Sequence, residues 1–301
     1  RSSAPPTADG ATGCALPIAG CRRDTIPRMR LALVCLCVLA TACDTRDAPP
    51  PSVGWLAGAS SRSVLPTVDA GHGYAAPERL PLDADADDPG VFAEQFDQGP
   101  IAVGNGNPDA HWVRDDLRVR ALALQRSDAD RVAVVVSADV YMILRQDVEE
   151  LRRMVREVLP DARADRVEVL VHATHNHHGP DTAFAVNPEW YRFFLEQARD
   201  AVGEAVARLE PATLRVGEGV HYFGASDLAG LRVFDPSLGV LQARATDGRV
   251  IATVVNWANH PESTLNWSPP RERIAAACRT LDWNAETCSA EGRYLTADFP
   301  G

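Results

Sequence analysis

Ala173-Thr174-His175-Asn176-His177-His178-Gly179-Pro180 is the stretch on which the fold and the chemistry of this chain turn. Three of the eight histidines fall within four positions. The apolar run 167–171 leads into them and Gly179-Pro180 stops them, so a buried strand ends there in a turn. Side chains two apart on an extended chain share a face, which projects His175 and His177 together from the strand end. Neutral imidazole is the commonest metal ligand, and two on one face make half a zinc site. One histidine at this place reads as a polar strand end. Three at a single strand-to-turn junction point to a site.

The flanking pattern gives the fold class. Strands at 117–125 and 131–137, around a turn at 127–130, predict a hairpin. A helix follows at 146–159, with Val148, Leu151, Val155, Val158 and Leu159 on its apolar side and Pro160 ending it. A long amphipathic helix spans 188–209 and is closed by Pro211. Short strands at 213–217 and 240–245 precede Asp247-Gly248, which turns into the apolar strand 250–255 as a second hairpin. That strand delivers Asn256-Trp257-Ala258-Asn259-His260-Pro261-Glu262. Two strand-helix halves thus each end an apolar strand in a histidine closely followed by proline. The predicted class is α/β, with mixed β-sheets and hairpins flanked by helices and a metal site at the C-terminal ends of strands, where sites of α/β folds gather.

With 301 residues and 46% hydrophobic composition, the chain can bury one large core or two small ones. Its 30 basic and 41 acidic residues give a net charge of −11, with no basic stripe, which argues against a nucleic-acid partner. Residues 1–28 show no periodicity and read as an extension upstream of a start at Met29. Residues 29–43 read as a secretory signal: a basic start, an apolar run at 31–42 and small residues before Cys43. The run is too short for a transmembrane helix. Cys43 fits either of two processings. One is lipoprotein maturation, which leaves a lipidated cysteine at a membrane surface; the other is ordinary cleavage and secretion. Both place the chain outside the cytoplasm. Residues 44–74 read as a flexible tether, with the folded domain over 75–301. Of seven cysteines only Cys278 and Cys288 fall in that domain, and in an exported chain they are expected to pair, with Cα atoms under about 7 Å apart.

Several hydrolase patterns are absent. An H-x-H-x-D-H site needs Asp where Gly179 stands, and no G-x-S-x-G occurs. The glycine-punctuated loop 99–106 lacks the spacing of a dinucleotide fingerprint.

Motif by motif, residues 99–301 resemble the neutral, non-lysosomal ceramidase family. Thr174-His175-Asn176-His177-His178-Gly179-Pro180 is similar to its T-H-T-H-S-G-P signature. Residues 118–124 and Ser137-Ala138-Asp139 resemble its first strand and its S-x-D strand end. Asn256-Trp257-Ala258-Asn259-His260-Pro261 resembles its second histidine motif, and Thr296-Ala297-Asp298-Phe299-Pro300-Gly301 its S-x-D-x-x-G motif. The resemblance implies a zinc-dependent amide hydrolase that cleaves an N-acyl-sphingosine or similar N-acyl lipid into fatty acid and amine. It puts His175 and His260 on Zn2+ and His177 beside the metal as the catalytic residue. The family's remaining ligands, a glutamate and a tyrosine, lie further along than Gly301. An incomplete catalytic domain, inactive by itself, is therefore expected.

There are departures from the family pattern. His178 stands where the family has Ser, 268–292 reads as an insertion, and Arg232 is the nearest match to a family arginine. Asp139 and Asp298 either orient a ligand imidazole through its second nitrogen or cap local turns. Glu262, following Pro261, reads as an exposed acid, and His72, His111, His172 and His221 as structural or surface residues. The zinc reading expects ring nitrogens of His175 and His260 within about 4–5 Å of one point, with His177 lining the same cleft. Outside this reading stand a non-catalytic envelope lipoprotein of similar fold and a zinc hydrolase of another amide or ester.

Overall fold

The computed structural model describes residues 54–66, 68–69, 73–74, 101–104, 106, 109–222, 230, 235–264, 268, 271–280 and 293–300. The elements in chain order are β1 (Trp55–Ser63), β2 (Val68–Asp69), β3 (Gly73–Tyr74), β4 (Trp112–Val113), β5 (Arg118–Arg126), β6 (Val132–Ala138), α1 (Arg145–Val158), α2 (Asp161–Ala164), β7 (Val167–Ala173), α3 (Pro188–Ala207), β8 (Glu210–Val220), β9 (Ser237–Ala245), β10 (Val250–Trp257), α4 (Arg271–Thr280) and β11 (Tyr294–Leu295). Seven strands form one mixed sheet in the order β10-β9-β8-β1-β5-β6-β7. The β6–β7 pair is parallel and every other neighbour is antiparallel. β4 and β11 form a small parallel ladder of their own. The class is α/β, as the strand and helix periods predict.

Helices cover one face of the sheet. On β6, Val132, Val134 and Val136 alternate inward; on β5, Val119, Ala121 and Ala123 do the same. α3 lays Trp190, Phe194, Ala198, Ala201, Val202 and Ala205 on them at helical spacing. Its start is set locally: Asn187 Oδ1 accepts from the backbone N–H of Glu189 and Trp190, and Pro188 occupies the first turn. α1 adds Leu151 and Val155 to the same core.

The tether expected over 44–74 is contradicted at Trp55–Ser63, which forms β1 in the middle of the sheet. Its Gly, Ala and Ser content is a packing solution rather than a linker composition. A Cβ on Gly58 would stand 2.2 Å from Ala205 O, so only glycine lets α3 approach this closely. Ser60 and Arg62, on the same face, are matched by Glu204 and Gln197 of α3. On the opposite face Ala57 joins Leu122, Ala212 and Ala243 in a second, smaller core. β10 packs against β1 across it, although β8 and β9 separate them in the sheet order. The sheet therefore curls over its own far edge.

Candidate metal centre

β7 ends at Ala173, and the chain then turns instead of running on extended. Thr174 N donates to Ala138 O (2.9 Å) and Asn176 N to Val140 O (3.1 Å), holding the segment to the end of β6. His175 lies between them at φ +64°. Histidine tolerates this left-handed conformation better than most residues, and such conformations cluster at functional sites. His175 and His177 thus converge through a turn, not through strand alternation. Buried Asn176 fixes the turn. Its Nδ2 donates to Asp139 O (3.3 Å) and Thr296 O (2.7 Å), and its Oδ1 accepts from His178 N (2.9 Å). Gly179 is required beside it, because a Cβ there would stand 2.8 Å from Asp139 O.

The chain beyond β10 brings His260 to the same place. His177 Nε2 lies 3.3 Å from His175 Nε2 and 3.1 Å from His260 Nε2. The candidate ligand atoms of all three lie within 4.8 Å of one another. A tetrahedral metal with bonds of about 2.1 Å sets its nitrogens about 3.4 Å apart, close to this spacing. The second ring nitrogens assign the protons. His175 Nδ1 donates to Tyr141 O (3.1 Å) and His260 Nδ1 to Glu262 Oε2 (2.8 Å). Both Nε2 atoms therefore turn lone pairs into the shared space. A proton on His177 Nε2 must split between these two acceptors, whereas one cation among three lone pairs satisfies all of them. Burial lowers the His177 pKa, with Glu262 opposing and His175 and His260 adding to the effect. The neutral, ligating form is thereby favoured. The residues present fit a metal ion.

Aromatic rings wall the cluster. Tyr141 stacks on His175 at 4.8 Å and meets His177 edge-on at 4.8 Å. Phe184, 70% exposed, lies 6.3 Å beyond Tyr141. Trp257 and Phe299 form a separate aromatic pair, 5.8 Å apart.

The two candidate aspartates do not touch an imidazole. Asp139 Oδ2 accepts from Arg118 N (2.9 Å) and Arg120 Nη1 (2.7 Å), capping the strand end. Burial raises its pKa more than Arg120 lowers it. Asp298, at φ +55°, accepts from the backbone N–H and hydroxyl groups of Ser263 and Thr264 and from Phe299 N. Burial alone would raise its pKa, but the hydrogen bonds from Ser263, Phe299 and Thr264 together hold it below the usual range. Asp298 thus clamps the loop after His260 rather than the ring itself. His178 points away from the cluster and stacks on Tyr294 at 4.4 Å. His111 lies near Arg293, His221 against Trp257, and His172 is exposed. Cys278 is disulfide-bonded. Its expected partner Cys288, together with Cys43, His72 and Arg232, lies outside the described residues.

Sequence reading missed Tyr141 and undervalued Glu262. The parallel β6–β7 pairing was the available signal for Tyr141, since parallel neighbours deliver their following loops to one end of the sheet. For Glu262 the signal was its position two residues after His260.

No protein-family model matches the chain, and no curated protein does. Solved structures that resemble it include two ceramidases. One is a ceramidase complexed with C2, with a TM-score of 0.48 at 17% identity, covering 81% of this chain and 37% of that one. The other is neutral ceramidase from Pseudomonas aeruginosa, with a TM-score of 0.45 at 17% identity, covering 81% of this chain and 38% of that one. The chain therefore spans little more than a third of either protein.

Proposed function

We propose that this chain carries the metal centre of a zinc-dependent amide hydrolase acting on an N-acyl-sphingosine or a similar N-acyl lipid. The observation that carries the reading is the convergence of three imidazole nitrogens from two histidine motifs of ceramidase-like sequence. His175, His177 and His260 are the zinc ligands. Two histidines would leave zinc under-ligated; three supply the protein ligand number of a catalytic site with one position open. When bound, zinc supplies Lewis acidity toward water and an amide carbonyl. Tyr141 O and Glu262 hold protons at Nδ1 of His175 and His260, so each Nε2 faces the metal position. Tyr141 packs on two of the rings and limits their rotation. Tyr141, with Phe184 beyond it, offers apolar surface beside the cluster, which suits an acyl chain. Among the described residues no helix is long and apolar enough to cross a membrane. A lipidated Cys43 would supply contact with a membrane surface.

The test is zinc titration of the chain against a chromophoric chelator, paired with fatty-acid release from a fluorescent ceramide. The reading predicts one zinc per chain. His175→Ala, His177→Ala and His260→Ala should each weaken binding by more than the about 10–100-fold that loss of an outer partner costs. Any fatty-acid release should require zinc and vanish in all three variants. If His177→Ala keeps zinc but loses turnover, His177 is a proton carrier beside a two-histidine site. A chain that binds no zinc, or binds it equally well in all three variants, would contradict the reading.

A further inference from the structure

We infer that Glu262 is a positioning residue of the histidine cluster, a carboxylate that orients the His260 ring and faces the Nδ1 edge of His177. This rests on the metal reading above. Glu262 Oε2 accepts the Nδ1 proton of His260 at 2.8 Å. Its other oxygen, Oε1, lies 3.8 Å from His177 Nδ1, beyond hydrogen-bond length but facing the same edge of that ring. Both contacts lie at Nδ1, while the cluster is formed by Nε2. The carboxylate therefore stands behind the ligands, away from the open metal position. That location excludes a general base acting on water and leaves orientation as its work.

The backbone builds this placement. Glu262 N donates to His260 O at 3.0 Å, folding the chain tightly across Pro261 and returning the carboxylate to the ring two residues before it. Immediately after it, Ser263 and Thr264 are fixed by the Asp298 carboxylate through four hydrogen bonds. Tyr294 Oη adds a fifth bond to Thr264 O. Glu262 is thus held on both sides in sequence. The other acids nearby are engaged elsewhere: Asp298 by this loop, Asp139 by Arg118 and Arg120, and Asp181 by the N–H groups of residues 183–185. Tyr141 O serves His175, the third ring, in the same way. Two of the three ligands then hold a hydrogen bond at Nδ1, and the third, His177, has the Glu262 carboxylate 3.8 Å from its Nδ1.

The Glu262 side chain is 36% exposed and that of His260 49%. An ion pair at that exposure adds little to fold stability. Its removal should therefore leave folding intact while loosening the rings, and this separates a positioning role from a structural one.

The experiment uses the metal-free chain with Glu262→Ala and Glu262→Gln beside the parent. Zinc affinity is read by chelator competition, and the histidine tautomers by nitrogen-15 NMR before zinc is added. Glu262→Ala should lower zinc affinity about 10–100-fold. Without metal it should shift His260 from the Nδ1–H form toward the Nε2–H form. Glu262→Gln keeps an acceptor without the charge, so it should retain the tautomer and lose less affinity. Urea unfolding of the metal-free variants should match the parent. Unchanged zinc affinity together with an unchanged His260 tautomer in Glu262→Ala overturns the inference. A parent chain that binds no zinc overturns the proposed function instead, and the tautomer measurement still decides the role of Glu262.

Discussion

His177 is the residue that turns two histidine motifs into one site, because its Nε2 touches both His175 and His260. Its neighbour His178 faces the other way, buried against Tyr294. Burial lowers the His178 pKa, and the nearby Asp298 carboxylate opposes the effect only in part. The folded state therefore binds its proton at lower pH than the unfolded chain, whose histidines titrate near about 6.5. Stability from this group is present above that value and is lost as pH falls toward the folded-state pKa. In urea unfolding of the metal-free protein, stability should drop as pH falls below the unfolded-chain value of about 6.5, and drop less in His178→Leu. An equal drop in both would remove His178 from the acid response. At this scale the sequence was legible where chemistry is carried by residue type, as in His175, His177 and His260. It was not legible where a partner is a backbone atom or a buried amide. Nothing in the string distinguishes Asn176 as the bolt of the histidine turn or Tyr141 O as the acceptor for His175. Asp139 and Asp298 were attractive for their type, yet both spend their oxygens on turns and loops.

Element identities followed from period: β5, β6, α1, β7, α3 and the β9–β10 hairpin all stand where alternation or helical spacing predicts them. β1 escaped because its contacts are made by glycine, alanine and serine, whose pattern matches a linker until the helix lying on it is known. The close approach of α3 at Gly58 makes a sharp prediction. Gly58→Ala forces a methyl group into the Ala205 carbonyl, so β1 and α3 must separate. The cost should reach the upper part of the about 1–3 kcal/mol typical of overpacking. Denaturant unfolding measures it. A loss of less than about 0.5 kcal/mol, the range of ordinary surface substitutions, would mean that this helix does not press on this strand as described.

Across the whole molecule the histidines come from opposite edges of the sheet, β7 and β10. Between those strands lie one parallel and five antiparallel pairings, so β10 runs opposite to β7. In a flat sheet their C-terminal ends would point to opposite ends of the molecule. Twist of about 20–25° per strand accumulates over six steps to about 120–150° and reverses that relation. The curl that packs β10 against β1 closes the remaining distance. Two H-x-H and H-P motifs in a linear sequence cannot reveal that their strands meet in this way, since register and curl are set by non-local packing. A metal bound here ties the two edges of the sheet together. The most direct test of that claim is X-ray absorption spectroscopy on the zinc-loaded protein. Three imidazole nitrogens at about 2.0–2.1 Å, with the outer-shell scattering of three rings, is the predicted result. Two imidazoles or fewer on the metal, or zinc that does not bind stoichiometrically, would contradict it.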